Sequence, residues 1–303
     1  MNKHGQKLKE KLKEKHVVIM DGGTGTEILR RGVHTTLPLW SSGALLTHPH
    51  IVQSIHADYI RAGAEIIITN TFRTTGRTLG KAHMGEKARD LTILAVQLAR
   101  RAITETSPNQ EVYIAGSIAP LEDCYTPDLV PDDSQLEHEH YEHAKNLADG
   151  GVDFLLVETM NTIKEALFAL RAARRVGLPI AISFCCSPKL TLLSGETLEE
   201  AIVKIEPLMP LFISINCTSA EATSSVIKQI RPLTHVSLGT YANGDGVPDD
   251  EDGWKFNGNM NEKTYLQHAR NWVKMGVQVI GGCCGTTPAY IQALAKNLPR
   301  LIE

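Results

Sequence analysis

Three thiols fall at the ends of two short apolar runs in this 303-residue chain. Cys217 closes Ile215-Asn216-Cys217, and Cys283 and Cys284 sit within Gly281-Gly282-Cys283-Cys284-Gly285-Thr286. Thiolates are soft ligands that suit zinc, and three protein ligands with a fourth position open form the catalytic rather than the structural arrangement. The flanking glycines allow close backbone approach. The competing reading is that these are buried core cysteines, a common fate of free thiols. Cys185 and Cys186 also follow an apolar run and could join a metal, but a closed four-sulfur site would leave no place for substrate. Cys124 is a further bystander.

Two carboxylates stand at comparable places. Asp21 ends the first apolar run, and Glu158 closes the otherwise apolar Phe154-Leu155-Leu156-Val157, where burial is costly unless something positive meets it. Together they could hold an ammonium. Between them in function lies the glycine loop Asp21-Gly22-Gly23-Thr24-Gly25-Thr26-Glu27, whose backbone N–H groups can converge on an anion. Ile28 stands where a dinucleotide fingerprint needs a third glycine or alanine, and no Walker lysine follows, so a small carboxylate is the better guest. An ammonium clamp beside a carboxylate cradle is an amino-acid site. Thr24 and Glu27, three apart, read as a capping box. His138-Glu139-His140-Tyr141-Glu142-His143 reads as a solvated helix face, since Glu142 takes the place of the second histidine of His-Glu-x-x-His. No Gly-x-Ser-x-Gly elbow supports a hydrolase.

These residues need strands that end at one place. Eight apolar, β-branched runs, at 17–20, 66–69, 112–115, 154–157, 180–184, 212–215, 236–239 and 277–280, alternate with stretches of helical period. The helices are predicted at 47–63, with Thr47 as cap and Pro49 in the first turn, then at 86–104, 137–149, 163–176, 198–205, 220–230, 262–275 and 288–296. Eight strands and eight helices predict an α/β fold, a (β/α)₈ TIM barrel of one domain over residues 17–303; the alternative is an open doubly wound sheet. Residues 1–16, rich in lysine, are predicted to be a solvated leading helix. Two long connections, 120–135 and 243–261, would lie on the catalytic face of a barrel. In the second, Asp245, Asp249, Asp250, Glu251 and Asp252 are either solvated or attract a cationic ligand, which Trp254 could cover.

Composition narrows the class. With 31 Lys plus Arg against 34 Asp plus Glu, the net charge of −3 offers no basic field for nucleic acid. Six cysteines are too sparse for a disulfide framework and point to a reducing compartment. No apolar run reaches the ~18 residues that span a bilayer. A cytoplasmic protein without membrane or nucleic-acid partners is expected.

The Asp21–Glu27 loop, Thr69-Asn70-Thr71-Phe72, Ala119-Pro120-Leu121-Glu122-Asp123-Cys124-Tyr125, Ile215-Asn216-Cys217 and the Gly281–Thr286 segment together resemble the homocysteine S-methyltransferase family. The resemblance implies a zinc-bearing barrel that methylates homocysteine to methionine, with Cys217, Cys283 and Cys284 as Zn²⁺ ligands. It further implies that Asp21 and Glu158 hold the amine, that Gly22, Gly23 and Thr71 contact the carboxylate, and that Asn70 and Asn216 are supports near the metal. The absence of an Asp-x-His-x-x-Gly cobalamin motif, together with Leu39-Trp40-Ser41, makes it most like members using the sulfonium donors S-methylmethionine or S-adenosylmethionine. Betaine or another methyl donor, a selenol acceptor such as selenocysteine, and a non-catalytic zinc or redox-sensing barrel are the alternatives. A nicotinamide-binding dehydrogenase is disfavoured by the broken glycine fingerprint.

Overall fold

Strands buried on both faces read as continuous apolar runs, and all eight predicted runs become parallel strands of one sheet. In the computed structural model, which describes residues 3–249 and 253–302, these are β1 Val18–Ile19, β2 Ile66–Ile68, β3 Tyr113–Ile118, β4 Phe154–Met160, β5 Ile180–Phe184, β6 Phe212–Ser219 and β7 Ser237–Asn243. A small antiparallel pair follows, β8 Val247–Asp249 with β9 Gly253–Lys255, and then β10 Val277–Gly282. The order β1-β10-β7-β6-β5-β4-β3-β2 is closed by a parallel bridge between Met20 and Ile66, with Asp21 N–H donating to the Ile66 carbonyl at 2.9 Å. The result is the (β/α)₈ barrel, not the open sheet.

Side-chain alternation divides the core. Val18 and Met20 join Ile66, Phe154, Leu156, Phe212 and Val279 in the inner cluster, whereas Val17, Ile19, Leu155 and Val157 belong to the outer one beneath the helices. Phe154 and Phe212 meet edge to face inside, 6.0 Å between centroids.

Four sequence expectations change. The leading helix, Lys3–Lys13, is not solvated all round: Leu8 and Leu12 enter the inner cluster, while Lys7 and Lys11 pair with Glu111 and Glu65. Gly5 lies against Pro179 and the Asp153 carbonyl, and Gln278 donates to the Leu12 carbonyl. Those partners precede β5, β4 and most of β10, so the helix closes the end of the barrel away from the strands' carboxyl ends. Thr47 does not cap the helix Pro49–Ala62; it ends the short helix Gly43–Thr47 and donates to the Gly43 carbonyl, leaving His48 at the cap. No box forms at Thr24 and Glu27: Gly23 caps the helix Thr24–Arg30, and Glu27 turns inward to Arg30 and Arg31 at 3.6 Å each. In the helix Asp133–Gly150, His140 and His143 are buried three residues apart on one face, against Glu165 and the Ser117 carbonyl; only His138 and Glu142 of that run are fully exposed.

Replacing Leu8 by alanine should destabilise the protein by about 2–5 kcal/mol in urea denaturation, as for other buried leucines, where a solvated helix would lose almost nothing. His56 is wholly buried and neither ring nitrogen has a hydrogen-bond partner, so burial pushes its pKa from 6.5 to about 4. Its folded pKa is the lower one: stability is full above pH 6.5 and falls between 6.5 and 4, where the unfolded chain alone takes up the proton. The His56→Leu variant should flatten that part of the stability–pH curve.

Candidate functional site

Strands β3, β4, β6, β7 and β10 run two to four residues past the apolar runs seen in sequence, and those extra residues build the site. They surround a cavity of about 420 Å³ at the strands' carboxyl ends, whose lining includes Ser117, Glu158, Asn216, Cys217, Tyr241, Cys283 and Cys284.

The Sγ atoms of Cys217, Cys283 and Cys284 all lie within 4.8 Å of one another, the one such metal-sized cluster among the described residues. Cys217 and Cys283 are 3.2 Å apart at sulfur, and all six cysteines are free thiols. A tetrahedral ion with Zn–S bonds near 2.3 Å needs sulfurs roughly 3.8 Å apart, a spacing this trio reaches with small adjustment. Hydrogen bonds from Cys217 and Cys284 hold the Cys283 thiol well below the ordinary thiol range, and the same contacts push Cys217 up. The trio carries one negative charge readily and resists the next ones until a cation arrives, which is the donor chemistry of a thiolate metal site.

Backbone geometry aims these sulfurs. Cys217, on β6, sits at a φ of +48° and Thr159, two strands away on β4, at +58°, each beside a shift of register in its strand. Such conformations cost about 1–2 kcal/mol per residue and need outside support. Asn216 supplies it. Its side-chain oxygen accepts from the Thr159 N–H at 3.1 Å and the Ser183 hydroxyl at 2.7 Å, and its NH₂ donates to the Thr159 hydroxyl at 2.8 Å and to Cys217 Sγ at 3.7 Å. The Cys283 loop is locked to the glycine loop. A β-carbon on Gly23 would lie 2.6 Å from the Cys283 carbonyl oxygen, and the Thr286 hydroxyl donates to that oxygen while accepting from the Gly23 N–H.

Among the described residues no cation pairs with Glu158. Burial pushes its carboxyl up to about 7, while the hydroxyls of Ser117 and Tyr241 donate to its two oxygens. Asp21 is wholly buried just behind the cavity lining. One oxygen accepts from Ile68 N–H at 2.8 Å and the other has no partner; burial, and the nearby Glu158, push its carboxyl well above the usual range. Two buried acids without a counter-charge leave a place for a ligand cation.

The remaining predicted residues divide. Gly22, Gly23 and Asn70 line the cavity, although the Gly23 N–H is already donated to Thr286 and the Asn70 amide donates to the Ser41 carbonyl. Thr71 is fully buried and bonded to Thr69 and the Ser117 carbonyl, outside the lining. Cys185 donates to the Cys217 carbonyl at 3.5 Å, Cys186 packs into the outer core, and neither joins the sulfur trio. Cys124 lines the cavity, and burial pushes its thiol up to about 12. Both long connections form walls, through Asp123 to Thr126 and through β8 and β9 with Trp254; Asp250, Glu251 and Asp252 lie outside the described residues. Sequence reasoning missed Ser117, Tyr241 and Arg73. The first two are polar groups just past the end of an apolar run, which is the signal that marks Glu158 and Cys217.

A family model described as homocysteine S-methyltransferase matches residues 18–298. Homocysteine S-methyltransferase 2 of Arabidopsis thaliana is 28% identical over 307 residues, covering 92% of each chain. Selenocysteine Se-methyltransferase of Brassica oleracea var. italica is 28% identical, covering 96% of this chain and 92% of that one. The metallated form of the homocysteine methyltransferase MmuM from Escherichia coli superposes with a TM-score of 0.81 at 25% identity, over 95% of this chain and 98% of its own. The chain belongs to the homocysteine S-methyltransferase family.

Proposed function

We propose that this protein transfers a methyl group from a sulfonium donor, S-methylmethionine or S-adenosylmethionine, to the thiol of L-homocysteine, with zinc held by Cys217, Cys283 and Cys284. The observation that carries the reading is the sulfur trio in one cavity with the buried Glu158, backed by the buried Asp21, whose free oxygen has no partner. A zinc ion there supplies the Lewis acidity that lowers the pKa of a thiol from its ordinary value near 8.5.

The chain's residues do the rest. Glu158, held by Ser117 and Tyr241, and Asp21, with its partnerless oxygen, receive the homocysteine ammonium, and a cation between them favours the ionised form of both. The glycine loop at Gly22 bounds the carboxylate side. Trp40 and Trp254 line the mouth and exclude water from the reacting sulfur. Homocysteine's sulfur attacks the methyl carbon in line: a new carbon–sulfur bond forms, the donor's methyl–sulfur bond breaks, and its electron pair leaves on a neutral thioether. The thiol proton is released to solvent. Residues 17–303 then act as one homocysteine-binding barrel with 1–16 as its leading helix, in the reducing cytoplasm. The selenocysteine-methylating relative supports a selenol as a second acceptor.

Purified protein should contain about one zinc per chain and make methionine from homocysteine with S-methylmethionine. Product formed with betaine but not with S-methylmethionine would refute the sulfonium reading. Replacing Cys217, Cys283 or Cys284 by serine should abolish turnover and zinc binding, the latter read by metal analysis. Glu158→Gln should raise the KM for homocysteine about 10- to 100-fold, the loss of one charge-assisted contact. Asn216→Ala strands the Thr159 N–H and the Ser183 hydroxyl; it should cost about 2–4 kcal/mol of stability and weaken zinc binding about 10- to 100-fold in chelator competition.

A further inference from the structure

Arg73 follows β2 and lines the cavity, yet nothing in the chemistry above uses it. Its Nε is buried with no hydrogen-bond partner. Among the described residues no carboxylate lies within ion-pairing distance of its guanidinium. Arg77, four positions on, is held by both Glu122 and Glu139. A guanidinium half-buried in a cavity wall without a counter-charge is costly, and the cost is removed by an anionic group on whatever fills the cavity.

The Arg73 carbonyl accepts from the Ser42 hydroxyl, which sets Arg73 beside the Trp40 turn of the cavity wall. With homocysteine's ammonium at Glu158 and its carboxylate at the glycine loop, as proposed above, the anion left for Arg73 is carried by the other substrate. The Arg73 guanidinium carbon lies 6.0 Å from the Phe72 ring centroid, and Trp40, Tyr125 and Trp254 also line the cavity. Aromatic faces suit a sulfonium cation and a guanidinium fork suits a carboxylate.

We propose that Arg73 receives the carboxylate of an amino-acid sulfonium donor and so selects donors that carry one, an inference that rests on the methyl transfer proposed above. The test compares S-methylmethionine with its methyl ester, which keeps the sulfonium and loses only the carboxylate charge, in the wild type and in the Arg73→Met and Arg73→Lys variants of the full chain. Donor KM is measured with saturating homocysteine, and donor binding is measured separately by calorimetry on homocysteine-loaded protein. The wild type should prefer the acid over the ester about 10- to 100-fold, a charge-assisted pair's worth. Arg73→Met should reduce that preference to within about twofold, Arg73→Lys should restore part of it, and the KM for homocysteine should stay unchanged. Equal use of acid and ester by the wild type, or a preference that survives in Arg73→Met, overturns the proposal. So does a raised KM for homocysteine, which would assign Arg73 to the acceptor. A wild type that methylates homocysteine from no sulfonium donor refutes the functional reading and this inference with it; a failure confined to the variants refutes the inference alone.

Discussion

The Asn216 amide bridges the ends of β4 and β6 across β5, at the point where both backbones turn left-handed, and the sulfur geometry depends on it. Without that bridge Thr159 and Cys217 would relax toward ordinary strand conformations, because neither is glycine and neither is comfortable at positive φ. Relaxation at Cys217 would swing its sulfur away from Cys283, now 3.2 Å distant. The amide bonds Thr159, Ser183 and Cys217, so it ties β4, the end of β5 and β6 into one unit. The opposite half of the site is tied by Thr286, whose hydroxyl joins the Gly23 N–H to the Cys283 carbonyl. Strain at the sulfurs is thus balanced by buried, well-formed hydrogen bonds on either side.

Electrostatics gives the cavity two opposed characters. Just past the carboxyl end of β1 and on β4, Asp21 and Glu158 lie in low dielectric with hydroxyls and a backbone amide as their donors, so both are raised toward neutrality until a cation arrives. The cavity wall that holds Phe72, Trp40 and Trp254 also contains Arg73, whose buried Nε has no partner. A chain of net charge −3 has little long-range field to impose on either. What the cavity can discriminate between charged ligands therefore comes from where single charges are left without partners.

Much of this was legible in the residues. Parallel strands covered on both faces leave continuous apolar runs, and the run at 180–184 coincides with β5. At β3, β4, β6, β7 and β10 the runs end early because an apolar pattern stops at the first polar residue or glycine, while the strand goes on: β6 continues through Asn216 and Cys217 to Ser219, and β4 through Glu158 to Met160. The hidden part of the site is this polar extension, Ser117 and Tyr241 included. The leading helix was misread because Leu8 and Leu12 are only two apolar groups among lysines, and their burial depends on an open barrel end that no local pattern announces. His140 and His143 were misread for the same reason: what they face belongs to other elements.

Homocysteine bound by the thiol trio and its metal should lose its thiol proton, and calorimetric titration of homocysteine into zinc-loaded protein in buffers of different ionisation enthalpy near pH 7 counts the protons released per substrate bound. Zinc-loaded protein should release about one proton more per homocysteine than metal-stripped protein, beyond those that Asp21 and Glu158 give up to the ammonium in both. Equal release with and without the metal would refute a metal-bound thiolate.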